Sequence, residues 1–498
     1  MMVRLLGAIS ALGLILVSWS AQALDAESLR RAIIDDLNTR TSLFPNIQVT
    51  YDVVVREAAD GFAVTIEDVR VADQPRSFQL DFGTWSFNVK DLGDDLYRFS
   101  DVASPGLVTL AEGSGPPVKV ASYNLERLDG RWSSVMMNLL DGDLILSNFK
   151  AGLESAGALF SMERLTSKAV GQIHATGLVD QQATGQGFGL RGAVQGRGRI
   201  EVAEVSFEYN IEGVDSAANA LYMKLAQDMS LLQDETLDLE SKRRMAAEAF
   251  EDLPSSKILP SSFGERFTLS NVSVFDHSNQ KQGGVDAVEF SFGASGLKTN
   301  SADSKFGIKV TNVTFDPPPA MAGAAWLQVV PRNLSFVMAV EQVPVETLWQ
   351  AFFRTIAQSI LAKDDATRDL AMTAVGAELM SALTMAGTRL RLPHLSIETP
   401  SAGLNADGIL EADAQAMTGA KGALNLAITG LDNVMALASS AATPAEQQAM
   451  GMLFMLKATA RRETGADGQP VDVWALELTP DGGILLNGAP FGMPPMPQ

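Results

Sequence analysis

Few side chains in this chain have the types and spacing that chemistry needs. The three histidines, His174, His277 and His394, lie in separate segments with no metal-ligand spacing between them. Cysteine is absent, which removes thiolate nucleophiles, disulfides and Cys-ligated zinc together. Gly187-Phe188-Gly189-Leu190-Arg191-Gly192 matches GxGxxG as a string, but no helix follows it and Ile200 to Phe207 reads as a strand. The glycines therefore read as a flexible connection between strands. Gly293-Ala294-Ser295-Gly296 fails the spacing of a nucleophile elbow. Aspartate and glutamate number 59, so choosing any two as acid and base would be arbitrary. The expectation is a protein that is not an enzyme, with no catalytic residue, no metal and no cofactor.

What does recur is a short apolar unit. Leu269 to Phe275, LSNVSVF, reappears as Val310 to Phe315, VTNVTF, with apolar residues at i, i+3 and i+5 and a small polar residue at i+2. Plain alternation would put i on the opposite face from the other two, so one extra residue is needed to align them. That is the requirement a β-bulge meets. Related copies start at Ile66, Leu146, Val202 and Leu392. The sequons at Asn271, Asn312 and Asn333 fall at polar positions of these strands, where the bulge explains asparagine without a sugar. Leu269, Val272, Val274, Val310, Val313 and Phe315 are the residues expected to line an apolar groove.

The elements that would carry the units follow in order. Residues 1–23 read as a signal peptide, with Arg4, an apolar run from Leu5 to Trp19, and Ala21-Gln22-Ala23 as the cleavage site. The alternative is an uncleaved inner-membrane anchor, since Leu5 to Leu24 could just span a bilayer. A helix from about Ala26 to Thr39 has the stripe Leu29, Ile33, Ile34 and Leu37. Strands then run to about Asn210, separated by turn pairs at Asp60-Gly61, Asp129-Gly130 and Asp141-Gly142. Helical spacing returns over 215–232, and Leu253 to Ser262 reads as a linker.

Strands resume from Phe263 until the Asp316-Pro317-Pro318-Pro319 run breaks them. A helical hairpin over 344–388 follows, whose aromatic-rich face contains Leu348, Trp349, Phe352, Phe353 and Ile356. A second hairpin over 431–458 contains the capping box Thr443-Pro444-Ala445-Glu446. The fold class expected is α+β, mainly β: a long curved, groove-like antiparallel sheet with inserted helical hairpins. Two sheet-rich lobes are expected, over 24–252 and 263–498.

Composition limits the partners. Hydrophobic residues make up 46% of the chain and charged ones 19%, enough to bury a core without covalent staples. The net charge is −21, which repels phosphate backbones and anionic lipid head groups alike. Nucleic acid is a poor partner, and any lipid contact must be made through apolar acyl chains.

Gly419 to Pro490 combines an alternating strand, a helical break at Gly430-Leu431-Asp432 and a closing Asp-Gly, Leu, Asn-Gly, Pro pattern. This resembles the closing region of uncharacterised periplasmic proteins of the YdgA type, which are similar in pattern to AsmA-like envelope proteins. The resemblance implies an exported, sheet-rich fold and, in the AsmA-like case, a curved sheet with an apolar groove that handles lipid. AsmA-like proteins commonly keep an N-terminal anchor, whereas Ala21-Gln22-Ala23 invites cleavage. The function expected is a non-enzymatic periplasmic envelope protein binding acyl chains or another hydrophobic ligand in its sheet. The alternative is an assembly or scaffold protein that holds an envelope protein through the amphipathic hairpin.

Overall fold

Helix formation begins at Asp25, whose side chain accepts the backbone N–H of Ser28 at 2.7 Å and so satisfies one of the helix's orphan donors. The helix it caps, Ala26–Ser42, opens a computed structural model that is 64% strand and 18% helix. The structure describes residues 25–42, 47–73, 77–94, 96–113, 115–133, 138–153, 158–194, 196–218, 221, 238, 240–242, 244, 255–316, 325–361, 365–438, 451, 453–465 and 468–491. The expected signal peptide, most of the helical segment over 215–232, the prolines at 317–319 and the capping box at Thr443 lie outside the described residues. Every strand pairing among the described residues is antiparallel.

The chain divides into two units, residues 1–263 with 277–279, and residues 264–276 with 280–498. In the first, β1 (Ile47–Ala58), β2 (Gly61–Asp73) and β3 (Phe78–Gly93) pair in sequence. Beyond β3 two short strands lie end to end. β4 (Leu96–Ala103) pairs with one half of β3 and β5 (Leu107–Glu112) with the other, and both pair onward with β6 (Val118–Ser133). The meander continues through β7 (Asn138–Leu153), β8 (Ala158–Ile173), β9 (Leu178–Val194) and β10 (Gly198–Asp215).

The core of this unit is filled by the N-terminal helix. Leu29, Ile33 and Leu37, spaced four apart, are all 1% exposed or less. They pack with Val53, Val64, Phe82 and Trp132 in one buried cluster. Each such side chain contributes roughly 1.5–3 kcal/mol on burial. Arg30 fixes the helix against the sheet by donating from Nε to the carbonyl of Val53 at 2.7 Å.

Four of the six copies of the recurring unit carry the left-handed residue that a bulge favours. Asp68, Asn148, Asn271 and Asn312, each at i+2 of a copy, have φ between 51° and 54°. Aspartate and asparagine tolerate this left-handed conformation best among residues with a Cβ. The result is clearest in the first unit, where Ile66 pairs with Val53 and Val71 with Val49 across a register shift, and Ile66, Val69 and Val71 are all buried. The copy at Leu392 bulges without a left-handed residue, whereas the copy at Val202 has neither a left-handed residue nor a register shift there against β9, so the bulge expected there is absent.

Two expectations are corrected. Asp129-Gly130 and Asp141-Gly142 are not turns but lie inside β6 and β7, with Asp129 opposite Asp143 and Gly130 opposite Gly142. The facing glycines let the backbones approach, and Arg127 offsets the aspartate pair with contacts of 2.8 Å to Asp129 and 3.2 Å to Asp143. The GxGxxG string is not a connection but the middle of β9, where Gly189 has a φ of 63°. A Cβ on Gly185 of the same strand would stand inside the ring of Phe207, which lies across it from β10.

The second unit contains β11 (Ser262–Phe275) from Gly264 onward, β12 (Lys281–Ser295), β13 (Ala302–Phe315), β14 (Asn333–Val343), β15 (Arg389–Glu398), β16 (Gly403–Ala412) and β17 (Ala420–Thr429). From β12 to β17 each strand pairs with the next. β17 pairs with β19 (Pro470–Leu478), whose other edge takes β18 (Arg461–Thr464) at one end and β20 (Ile484–Leu486) at the other. β21 (Ala489–Pro490) closes on β20. Helices Val345–Leu361 and Asp365–Ala386 fall between β14 and β15, and Leu431–Ala438 follows β17.

Candidate functional site

Residues directly opposite each other in an antiparallel pair share a face, so the registers assign the faces of the second unit. One row runs Phe292, Phe306, Met338 across β12, β13 and β14, and the next runs Phe290, Ile308, Phe336 and Leu395 into β15. A third runs Leu390 to Leu410 to Gly422 to Leu478, and a fourth Leu392 to Gly408 to Leu424 to Leu476 to Leu486. Leu426 and Trp474 make a further pair. Asp472, opposite Ile428, and Arg462 of β18, opposite Asp472, bring ionisable side chains into the end of these rows. The other face of the same strands is polar, with Lys309 opposite Ser335, Val337 opposite His394 and Asn425 opposite Ala475.

The bulge in β15 keeps the apolar rows in step. Leu392, Leu395 and Ile397 pair with Gly408, Ala406 and Leu404, which alternate regularly on β16, so positions i, i+3 and i+5 are aligned on one face. β13 does the same. Val310 pairs with Leu334, whereas the N–H of Val313 reaches the carbonyl of Arg332 at 2.8 Å, leaving two residues opposite one.

These rows are not sealed as the first unit's core is. Among their side chains only Ala406, Asp472 and Trp474 are buried. Trp474 is held by its indole N–H, which donates to the carbonyl of Leu456 at 3.0 Å. Toward the other end Leu390 is 41% exposed, Leu410 41%, Leu424 38% and Ile484 45%. There the apolar face forms a cavity of about 520 Å³, walled by leucines from β15, β16, β17 and β19 with Phe336, Met338 and Ile484, and bordered by Arg391 and Glu477. Gly408 and Gly422 sit in its floor on neighbouring strands. A Cβ at Gly422 would come within 2.5 Å of the carbonyl of Ile409, so close backbone packing and the hollow share one cause.

Of the groove residues expected from sequence, Val310 lies in the apolar rows, between Val288 and Leu334. Val313 is aligned with it by the bulge and pairs with Val285, and Phe315 is 43% exposed opposite Gly283. On β11 Leu269 and Val272 are half-buried and Val274 is 40% exposed. The carbonyl of Val272 lies beside Gly284 of β12, so β12 separates the two predicted sets. None of the six lines the cavity. The alternating leucines of Leu390/Leu392, Leu424/Leu426 and Leu476/Leu478 were the available signal, but only the register shows that they converge.

The predicted partner face divides. Phe353 is 9% exposed and Ala351 fully buried, whereas Phe352 between them is 57% exposed. Trp349 meets the Phe353 ring edge-on at 4.7 Å, and Leu348 is half-buried. The side chain of Ile356 lies outside the described residues. Arg354 joins this helix to the next through Glu378 at 2.8 Å, and that helix exposes Met380 and Met385.

His174 contacts Asp180 at 2.8 Å, and Asp180 also accepts the backbone N–H of Gly213 at 2.8 Å. That backbone bond, followed by His174, holds the Asp180 carboxyl below the usual carboxylate range. Among the described residues no group of three or more histidines and carboxylates could hold a metal ion, and no helix is long and apolar enough to cross a membrane.

Residues 317–495, which contain the cavity strands, match a family described as an uncharacterized protein conserved in bacteria (DUF2125). No curated protein and no solved structure matches the chain.

Proposed function

We propose that the protein is a non-enzymatic component of the bacterial envelope, exported to the periplasm, that binds acyl chains on the apolar sheet face of its second unit. The reading extends to a YdgA-type, AsmA-like manner of handling lipid. Export rests on Arg4, the apolar run after it and Ala21-Gln22-Ala23. An N-terminal inner-membrane anchor is the alternative placement.

One observation carries the reading. The cavity at Leu390, Leu410, Leu424 and Ile484 is apolar and open, and the ionisable side chains of its rows among the described residues, Asp472 and Arg462, stand at the far end. Such a surface recognises alkyl chain by burial, worth ~0.8 kcal/mol per CH₂, and needs no fixed charge. The net charge of −21 disfavours an anionic head group as the part recognised. Native mass spectrometry of the protein released from membranes tests this. Co-purified lipid is the expected result; a lipid-free chain that takes up no phospholipid overturns it.

A second reading has its own observation. Phe352 is 57% exposed, Met380 58% and Met385 83%, which leaves apolar surface on the two helices for an envelope protein. A stoichiometric protein partner lost on Phe352→Asp, with lipid binding intact, would favour it.

A further inference from the structure

The opposite, polar face of the cavity strands carries a second hollow of about 530 Å³, formed by β14 to β17 and β19. It lies where β15 shifts register against both neighbours, between Leu392 and Leu395 toward β16 and opposite Val337 and Ala339 of β14. Pro393 stands in the bulge and brings no N–H of its own. Bulges of this kind re-aim side chains and concentrate beside binding sites.

The lining sets oriented polar side chains over a surface that is otherwise mostly apolar. Arg391 donates to Glu341 at 2.9 Å, and Asn425 donates to Asp407 at 3.0 Å. Arg391 has five N–H donors and Asp407 two acceptor oxygens, so each has capacity beyond that one bond. Arg391 pairs with Glu341 and Arg389 with Glu411 at 3.1 Å, so both guanidinium charges are already offset by carboxylates, and Asp407 adds a further negative charge. Ile409, Ala423 and Val473 supply an apolar floor between them. A phosphate or carboxylate entering here would meet Glu341 and Asp407.

We propose that this hollow is a binding site for a neutral saccharide. Hydroxyls take the arginine and asparagine donors and give to Asp407, while the C–H faces of the ring rest on Ile409 and Val473. The site is on the face away from the acyl cavity and stands whether or not that reading holds.

Saturation-transfer NMR on the full chain tests it, with maltose and N,N′-diacetylchitobiose as probes and glucuronate and inorganic phosphate as anionic controls. The expected result is saturable transfer to at least one disaccharide, weakened about tenfold or more by Asp407→Ala and by Asn425→Ala. Both side chains are exposed, so both variants should melt as the parent does. Leu424→Asp, on the other face, should leave transfer unchanged. If Asp407→Ala fails to fold, Asn425→Ala and Arg391→Gln decide. Absence of transfer to both disaccharides, transfer indifferent to the folded variants, or tighter binding of the anions overturns the proposal.

Discussion

The backbone N–H of Asn312 donates to the side-chain oxygen of Asn333 at 2.8 Å, across the bulge where β13 places two residues against one of β14. Asn312 has a φ of 54°, and its own side chain donates to Asp286 at 2.8 Å. The bulge that aligns Val310 with Val313 therefore rests on one residue's conformation and its two polar partners.

Replacing Asn312 tests that dependence. Valine must adopt a left-handed conformation costing roughly 1–2 kcal/mol and also loses the bond to Asp286, whereas glycine avoids the conformational cost. Thermal melts should place Asn312→Val clearly below Asn312→Gly. Equal melting of the two variants would mean that the bulge does not constrain the fold.

Gly185 beneath Phe207 makes a second, separable test. Gly185→Ala forces the ring aside and should cost about 1–3 kcal/mol, as overpacking does. Gly185→Ala combined with Phe207→Leu should recover part of the loss, giving a favourable coupling in a double-mutant cycle. Strict additivity would contradict the contact.

Asp180 sets a pH dependence in the first unit. Its folded pKa is lowered, first by the Gly213 N–H and then by His174. The stability it contributes is therefore present above the unfolded carboxylate value near 3.9 and is lost as pH falls through the lower folded value. Melting curves from pH 6 downward should fall less steeply in Asp180→Asn than in the parent. Parallel curves would remove Asp180 from the account.

Neighbouring phenylalanines on the helix Val345–Leu361 should behave oppositely. Phe353→Ala should destabilise by about 3–5 kcal/mol and Phe352→Ala by no more than about 0.5 kcal/mol. Denaturant titration of both variants reads this out directly, and similar losses would contradict the burial that separates them.

Much of this was legible in the sequence because local physics decides it. Asn148, Asn271 and Asn312 at i+2 of an apolar triplet announced the bulges, since few other residues accept that φ. The stripe Leu29, Ile33 and Leu37 likewise announced the helix that fills the first unit. Asp129-Gly130 misled because Asp-Gly also suits two strands that face each other glycine to glycine. The cavity was hidden for another reason: Leu392 and Leu476 share a row only through β16 and β17, and no local pattern gives the register between strands so far apart.

The central claim is that the exposed end of the apolar rows binds acyl chain as an open surface. Val310, half-buried between Val288 and Leu334, and Val272 are intermediate cases, since aspartate at either can stay partly hydrated. Leu424 and Ile484, at 38% and 45% exposure, are the decisive sites. Equilibrium titration of a fluorescent fatty acid into the parent, Leu424→Asp and Ile484→Asp, with melts recorded on the same samples, tests the claim most directly. The account predicts melting near the parent's for both variants and binding weakened about tenfold or more, since each new carboxylate must be desolvated by the chain. Parent-like affinity in the folded variants, or no binding by the parent, would contradict it.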